Sequence, residues 1–271
     1  MEFIDTHCHI QNIGHSVTDE VTFKKWSELN LASNEVIDRA IESGVTQMIS
    51  VGCTLAESQL AIELSARHKP VFASIGIHPH AARDYKKKKE DLSLLAGEDK
   101  VVAVGECGLD YYYDHSPRED QIAVLEKQLE IAINNDLPVI FHVRQAFKDF
   151  WPIFDAFTPG GKKIRGVLHS YTDNEKNLQA ALSRGLHIGV NGISTFAKNE
   201  EQLAVYRAIP LNSLLLETDS PYLTPVPFRG NINEPKYIPV IARFLADLRG
   251  ENIKEIAEKT TANARTLFGF K

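Results

Sequence analysis

Short apolar runs alternate along this chain with longer stretches whose apolar positions recur every three or four residues. Runs of the first kind predict β-strands and stretches of the second kind predict amphipathic helices. Strands are expected at Glu2–His9, Val45–Cys53, Val71–His78, Val101–Gly108, Pro138–Val143, Gly166–Ser170, His187–Val190 and Leu214–Asp219. Helices fill the intervals at Asn34–Ser43, Ala56–His68, Glu90–Gly97, Pro117–Asn135, Gln145–Phe157, Asn174–Arg184, Glu200–Ile209, Pro235–Leu248 and Ile253–Phe268. Pro117 and Pro235 stand at the first helical position, which tolerates proline, and Gly44, Gly97 and Gly185 stand just past helix ends. Ile10–Ser33 reads as the longest irregular segment, placed after the first strand where it can shape a substrate entrance.

Strand–helix alternation of this kind implies βαβ units and a parallel sheet. Eight strands with intervening helices close naturally into an α/β barrel of the (β/α)8, TIM type. The 271 residues suit one such domain, 1–271, since this architecture commonly takes about 200–250 residues or more. An open, doubly wound sheet is the alternative, and the placement of metal-type side chains argues against it.

Those side chains are His7, His9, Glu106, His142, His169 and Asp219, each at the end of an expected strand. They come from strands one, four, five, six and eight, and only a closed barrel brings the first and last together. His7 and His9 are two apart on an extended segment, so both imidazoles face one side. Glu106 follows Val101-Val102-Ala103-Val104. A carboxylate buried there must be paired, protonated or metal-bound, because an unpaired one costs several kcal/mol. Singly, each histidine reads as a core residue and Asp219 as a helix cap. Together, four imidazoles and two carboxylates match a dinuclear centre, with two divalent cations about 3.5–4 Å apart sharing a carboxylate and a hydroxide. Glu106 is the expected bridge, with His7, His9 and Asp219 on one ion and His142 with His169 on the other. Imidazole-rich donors favour Zn²⁺ or Mn²⁺, with Mg²⁺ able to support activity.

Around this set, Asp5 shares the face of His7 and is expected to orient a histidine through its other ring nitrogen. Glu217 shares the face of Asp219 and reads as a buried hydrogen-bonding group. His78 in Gly76-Ile77-His78-Pro79-His80, with Arg144 and Arg229, is expected to grip substrate phosphate, since a guanidinium meets two phosphate oxygens at once. Tyr111, Tyr112 and Tyr113 either stack a base or pack the rim. His15, His68, His80, His115 and His187 read as surface or structural.

Net charge and cysteine content narrow the class. A net charge of −6 disfavours non-specific binding to long nucleic acid, which relies on Lys and Arg neutralising phosphates. The Lys86–Lys89 run is bracketed by Asp84, Glu90 and Asp91 and reads as a solvated helix start. Three cysteines, Cys8, Cys53 and Cys107, lack CxxC spacing and are expected to be buried thiols in a reducing compartment. There is no 18-residue apolar stretch and no basic leader, so a cytoplasmic, membrane-free chain is expected.

The motifs now resemble a known family. Asp5-Thr-His7-Cys-His9, Gly76-Ile-His78-Pro79, Gly105-Glu106-Cys-Gly108-Leu109-Asp110-Tyr111, Phe141-His142-Val-Arg144, Leu168-His169-Ser170 and Glu217-Thr-Asp219-Ser-Pro221 follow the order found in TatD metal-dependent deoxyribonucleases, a branch of the amidohydrolase superfamily. Phe228-Arg229-Gly230, Asn233-Glu234-Pro235 and the closing Asn263-Ala-Arg265-Thr-Leu267-Phe268-Gly also match. One departure is Ser170-Tyr171-Thr172-Asp173, where Asp173 replaces a glycine. The resemblance implies a TIM barrel with a divalent-metal centre held by the six residues above. It also implies phosphodiester hydrolysis of DNA, with 3′→5′ exonuclease activity on single strands or 3′ ends.

In that reading a metal-bridging hydroxide attacks phosphorus, Glu106 holds the ions, and Asp219 accepts and returns the proton. A rival keeps the metals and changes the bond to an amide or ester, as in removal of D-amino acids from mischarged tRNA. Many amidohydrolase sites bridge their metals with a carboxylated lysine; Glu106 stands in that place here, which favours the phosphoesterase branch. A non-enzymatic barrel scaffold is a second rival, and six intact ligands argue against it. No protein partner is indicated.

Overall fold

The computed structural model describes residues 1–15, 20–88, 91–113, 115–158 and 164–270. Eight strands lie in one sheet in sequence order: β1 (Phe3–Cys8), β2 (Val45–Val51), β3 (Val71–Ile75), β4 (Val101–Asp110), β5 (Val139–Arg144), β6 (Gly166–Leu168), β7 (His187–Val190) and β8 (Leu214–Leu216). Every neighbouring pair is parallel. The sheet curls until its last strand meets its first. Cys8 and Ser220 form a parallel bridge, the Asp219 N–H donates to His7 O at 2.8 Å, and the His9 N–H donates to Ser220 O at 2.9 Å. Consecutive order with this join gives a nearly closed barrel of the TIM type and excludes the doubly wound sheet.

Ten helices accompany the strands among the described residues: α1 (Glu20–Leu29), α2 (Ser33–Glu42), α3 (Leu55–Arg67), α4 (Ala82–Lys88), α5 (Arg118–Asn134), α6 (Phe147–Ala156), α7 (Glu175–Ser183), α8 (Glu200–Ala208), α9 (Ile238–Arg249) and α10 (Ile253–Phe268). Local chemistry sets several of their ends. The side chains of Thr54, Asn174, Asn199 and Asn252 accept from the first-turn N–H groups of Glu57, Asn177, Glu201 and Lys254, each cap stabilising its helix by about 1 kcal/mol. Gly250 and Gly269 close α9 and α10 in the left-handed region, at φ of 67° and 61°.

Two apolar clusters result. The larger joins outward strand residues such as Met48, Phe141 and Leu216 to the helices. The smaller gathers Ile4, Ile49, Phe72, Ala103, Ile140, Val167 and Leu215, and it ends on Leu267 and Phe268 of α10. Side chains drawn from strands all around the sheet meet only inside it, so the lumen is a packed core rather than a pore. Polar side chains occupy the opposite, C-terminal mouth.

The structure departs from the sequence pattern in several places; β3 and β8, expected to reach His78 and Asp219, end at Ile75 and Leu216. Ile10–Ser33 is not irregular: it contains a 3₁₀ turn at Ile10–Asn12 and helix α1, with residues 16–19 outside the described set. Its helical period is masked because Val21 and Phe23 are 58% and 36% exposed, while Trp26 anchors it, buried and donating from Nε1 to His9 O at 3.1 Å, with Thr22 and Leu29 also turned inward. The helix expected at Glu90–Gly97 is only a 3₁₀ turn, Leu92–Leu95, following α4. Lys89 and Glu90 lie outside the described residues; Lys86 and Lys87 pair with Asp120 and Asp84. Strand β4 runs on to Asp110, two residues past its expected end. Pro117 caps α5 instead of occupying its first turn.

Candidate metal centre

The six metal-type side chains converge at the C-terminal mouth. Alternation on β1 brings His7 Nε2 and His9 Nε2 to 3.3 Å of each other. Asp219 Oδ1 lies 3.6 Å from the first and 3.3 Å from the second, and Glu106 Oε2 lies 3.4 Å from His7 Nε2. Ligand atoms about 2.1 Å from one ion sit roughly 3.0–3.5 Å apart, so these separations are those of a single coordination shell. Asp219 reaches its place because its backbone turns left-handed after β8, φ 59°. Asp tolerates that conformation better than most residues.

The other oxygen of Glu106 serves a second group. Its Oε1 lies 2.8 Å from His142 Nδ1 and 3.7 Å from His78 Nε2. His169 Nε2 falls between the groups, 3.9 Å from Glu106 Oε1 and 3.7 Å from Asp219 Oδ1, with its ring stacked on His7 at 3.5 Å. Glu106 therefore faces both groups, one carboxylate oxygen to each. His169 lies together with His7 and Glu106, and His142 with Glu106 and His78, while both imidazoles approach the same Glu106 Oε1.

Hydrogen bonds outside the groups decide which ring nitrogen each histidine presents. His9 Nδ1 lies 3.0 Å from Val51 O, which assigns its proton there and leaves Nε2 for the site. His169 Nδ1 lies 3.0 Å from Glu217 Oε1, an ion-pair contact without hydrogen-bond alignment, and Nε2 is again the nitrogen turned to the site. Glu217 is thus the buried support of His169, and it also accepts from the Ser170 N–H at 2.6 Å. His142 is reversed: Nε2 donates to Asp110 Oδ2 at 2.9 Å and Nδ1 points at Glu106. His78 differs again. Its Nδ1 accepts the His80 N–H at 3.2 Å, so the neutral ring carries its proton on Nε2 and faces the site as a donor. Burial, with His142 and His80 nearby, holds His78 well below its ordinary pKa despite Glu106. The His78 Nε2 lies 3.3 Å from His142 Nδ1, to which the neutral ring donates.

Asp5 orients backbone instead of a ring: it accepts from the N–H groups of His7 and Thr218 at 3.1 and 2.9 Å and from Thr218 Oγ1 at 2.6 Å. This ties β1 to the end of β8. Burial pushes its pKa up to about 8, the Thr218 and His7 hydrogen bonds opposing.

The electrostatics fit a cation. Among the described residues, Glu106, Asp110, Glu217 and Asp219 have only histidines as ion-pair partners. Burial opposes charging of His9, His142 and His169. Asp219 nevertheless drives His9 up to about 9, Asp110 and Glu106 drive His142 up to about 9, and Glu217 and Glu106 drive His169 up to about 10. Burial would raise Glu106, but the surrounding histidines hold it well below the carboxylate range. The donor set calls for positive charge, which a divalent cation supplies in place of the protons.

Sequence reading missed four neighbours. Asp110 lies on the alternation of Glu106 along β4, a signal hidden by ending the strand at Gly108. His80, read as surface or structural, meets Asp110 Oδ2 at 3.1 Å. Cys53, half-buried with its Sγ 3.7 Å from Glu106 Oε2, and Glu57 form a further group with His9. Cys8 and Cys107 are buried, and all three cysteines are free thiols. Arg144 and Arg229 are exposed on the rim; the first lies over Tyr112 and Tyr113, the second over Phe196 at 3.9 Å. Neither has a carboxylate partner within 4.0 Å among the described residues. After His169, Tyr171 is buried and donates to Asn174 O, while Asp173 accepts from the Asn177 amide at 2.7 Å.

A sequence profile described as TatD related DNase matches residues 4–269. The chain belongs to the TatD family. It is 36% identical over 237 residues to the uncharacterized metal-dependent hydrolase YabD of Bacillus subtilis, covering 86% of this chain and 91% of that one. It is also 36% identical over 245 residues to the 3′-5′ ssDNA/RNA exonuclease TatD of Salmonella typhimurium, covering 87% and 92%. Among solved structures, YJJV, a TatD homolog of Escherichia coli K12, superposes with a TM-score of 0.83 at 28% identity, covering 99% and 98%. This TatD protein is therefore a metal-dependent hydrolase of ester bonds. No helix among its described residues is long and apolar enough to cross a membrane.

Proposed function

We propose that this TatD protein removes nucleotides from the 3′ ends of single-stranded DNA, using two divalent cations held by His7, His9, Glu106, His142, His169 and Asp219. The observation that carries this reading is Glu106, whose two oxygens face separate imidazole groups at 3.4 and 2.8 Å. The Salmonella relative, a 3′-5′ ssDNA/RNA exonuclease, supports the substrate class. Cations bound there would lower the pKa of a water and neutralise charge gathering on phosphoryl oxygens. Nitrogen-rich donors favour Zn²⁺ or Mn²⁺.

The protein's own groups do the rest. Asp219, 16% exposed at its side chain against 5% for Glu106 and 1% for Glu217, is the carboxylate open to the attacking water. It takes that proton and returns it toward the leaving oxygen. His78 donates from Nε2 to a phosphoryl oxygen, and Arg229 on the rim grips the neighbouring phosphate. An acidic chain whose candidate phosphate-binding arginine, Arg229, lies on the rim suits strand ends over long duplex.

Turnover of 3′-labelled single-stranded DNA by metal-reconstituted wild type beside Glu106→Ala tests this. Stepwise loss of 3′ nucleotides in the wild type alone is expected. Full activity in Glu106→Ala would sink the site assignment. Silence in both, with metal bound in the wild type, would redirect the search to carbonyl substrates such as misacylated tRNA.

A further inference from the structure

The rim above β4 and β5 holds aromatic and cationic groups that the hydrolytic site does not use. Tyr112 and Tyr113 are 54% and 43% exposed. The Arg144 guanidinium covers both, its Cζ 4.0 and 4.9 Å from their centroids. His115 stacks on Tyr113 at 5.6 Å and 27°. Adjacent Tyr111 is different: its hydroxyl bonds Asp149 at 3.0 Å, and the ring is half-buried in the wall. Packing explains Tyr111 and leaves its two neighbours open to solvent.

Asp110 fixes this loop relative to the candidate metal centre. Its Oδ1 accepts the N–H groups of Tyr112 and Tyr113 at 2.9 and 3.0 Å, while its Oδ2 holds His142. One carboxylate thus joins the exposed rings to an imidazole aimed at Glu106. A guanidinium laid over exposed aromatic rings forms a platform on which an unpaired base stacks, and stacking of this kind accepts any base.

We propose that Tyr112, Tyr113 and Arg144 form a base-stacking subsite for one nucleotide of a single strand whose phosphate lies at the metal centre. This rests on the phosphodiesterase reading. Base stacking of this kind is lost on alanine substitution with about a 5- to 150-fold weakening.

The test is binding, by fluorescence anisotropy, of metal-loaded protein to a short phosphorothioate oligothymidylate. It is repeated with each of the last three units made abasic in turn, alongside turnover of ordinary 3′-labelled DNA. Removing the base at one position is expected to weaken wild-type binding about 5- to 150-fold. Tyr112→Ala should lose the same factor on the intact oligomer, lose nothing further on the abasic one, and keep its metal content. Tyr112→Trp should restore base dependence. Equal wild-type binding of intact and abasic strands would overturn the subsite, and continued DNA turnover would then leave the nuclease reading standing. Base-dependent binding without DNA turnover would support the subsite and remove only that reading. Equal losses by Tyr112→Ala on both oligomers would also overturn the proposal.

Discussion

Replacing Asp110 by asparagine keeps the shape of β4 and removes one charge. Asp110 accepts from Tyr112 N, Tyr113 N, His142 Nε2 and His80 Nε2 at 2.9, 3.0, 2.9 and 3.1 Å. Asparagine offers one acceptor oxygen. If that oxygen keeps the two tyrosine N–H groups, its amide nitrogen meets His142 Nε2 as a second donor. The ring must then accept at Nε2 and carry its proton on Nδ1, the nitrogen 2.8 Å from Glu106 Oε1. A ring in that tautomer cannot give Nδ1 to a cation. Loss of such a supporting carboxylate weakens metal binding about 10- to 100-fold, or about 1.4–2.7 kcal/mol. The opposite amide orientation spares His142 but sets two backbone donors against an NH₂ group, at about 1–3 kcal/mol each, and is disfavoured. Competition of Zn²⁺ or Mn²⁺ between the protein and a chelating dye measures the effect, with metal-free melting as the folding control. Affinity within about threefold of wild type, with the fold intact, would refute the tautomer argument, since that argument requires at least the lower end of the range.

Three further outcomes follow from the same geometry. Arg229→Ala should raise KM for DNA about tenfold with kcat nearly unchanged, as expected for one charge-assisted hydrogen bond to phosphate; an equal fall in kcat would place Arg229 at the reacting atoms instead. Gly76→Ala should cost about 1–3 kcal/mol in denaturant unfolding and loosen metal binding. A Cβ there would lie 2.4 Å from Gly105 C and 2.6 Å from Glu106 N, so the Glu106 backbone must move; wild-type stability would contradict this. His187, at the start of β7, is held below its ordinary pKa of 6.5 by burial, against a backbone hydrogen bond at Gly166. The unfolded chain protonates this ring first, so its contribution is intact above about pH 6.5 and is lost as the pH falls toward the lowered value. His187→Gln should flatten the decline in unfolding free energy between pH 7.5 and 5.5, and an unchanged slope would show that His187 is not its source.

The alternation of apolar runs and helical stretches was enough to place eight strands, eight of the ten described helices and the closure of the barrel. The six candidate ligands were legible because side chains alternate along a strand and a barrel collects its strand ends at one mouth. Helix α1 was hidden because two of its apolar residues face solvent, and Asp110 because glycines at 105 and 108 disguised the continuation of β4. No local pattern encodes which nitrogen a histidine presents. His9 is set by Val51 O on the adjacent strand, His169 by Glu217 on β8's extension, and His78 by the His80 N–H in its own turn. Sequence by itself determined the residue types and the face of the strand each occupies, since those follow from a period of two. Tertiary structure decided the neighbours of His169, the hydrogen-bond partners of His78 and the link from Asp110 to the tyrosines. Hydrogen bonds between distant segments form only after the barrel has closed, and proton positions depend on them.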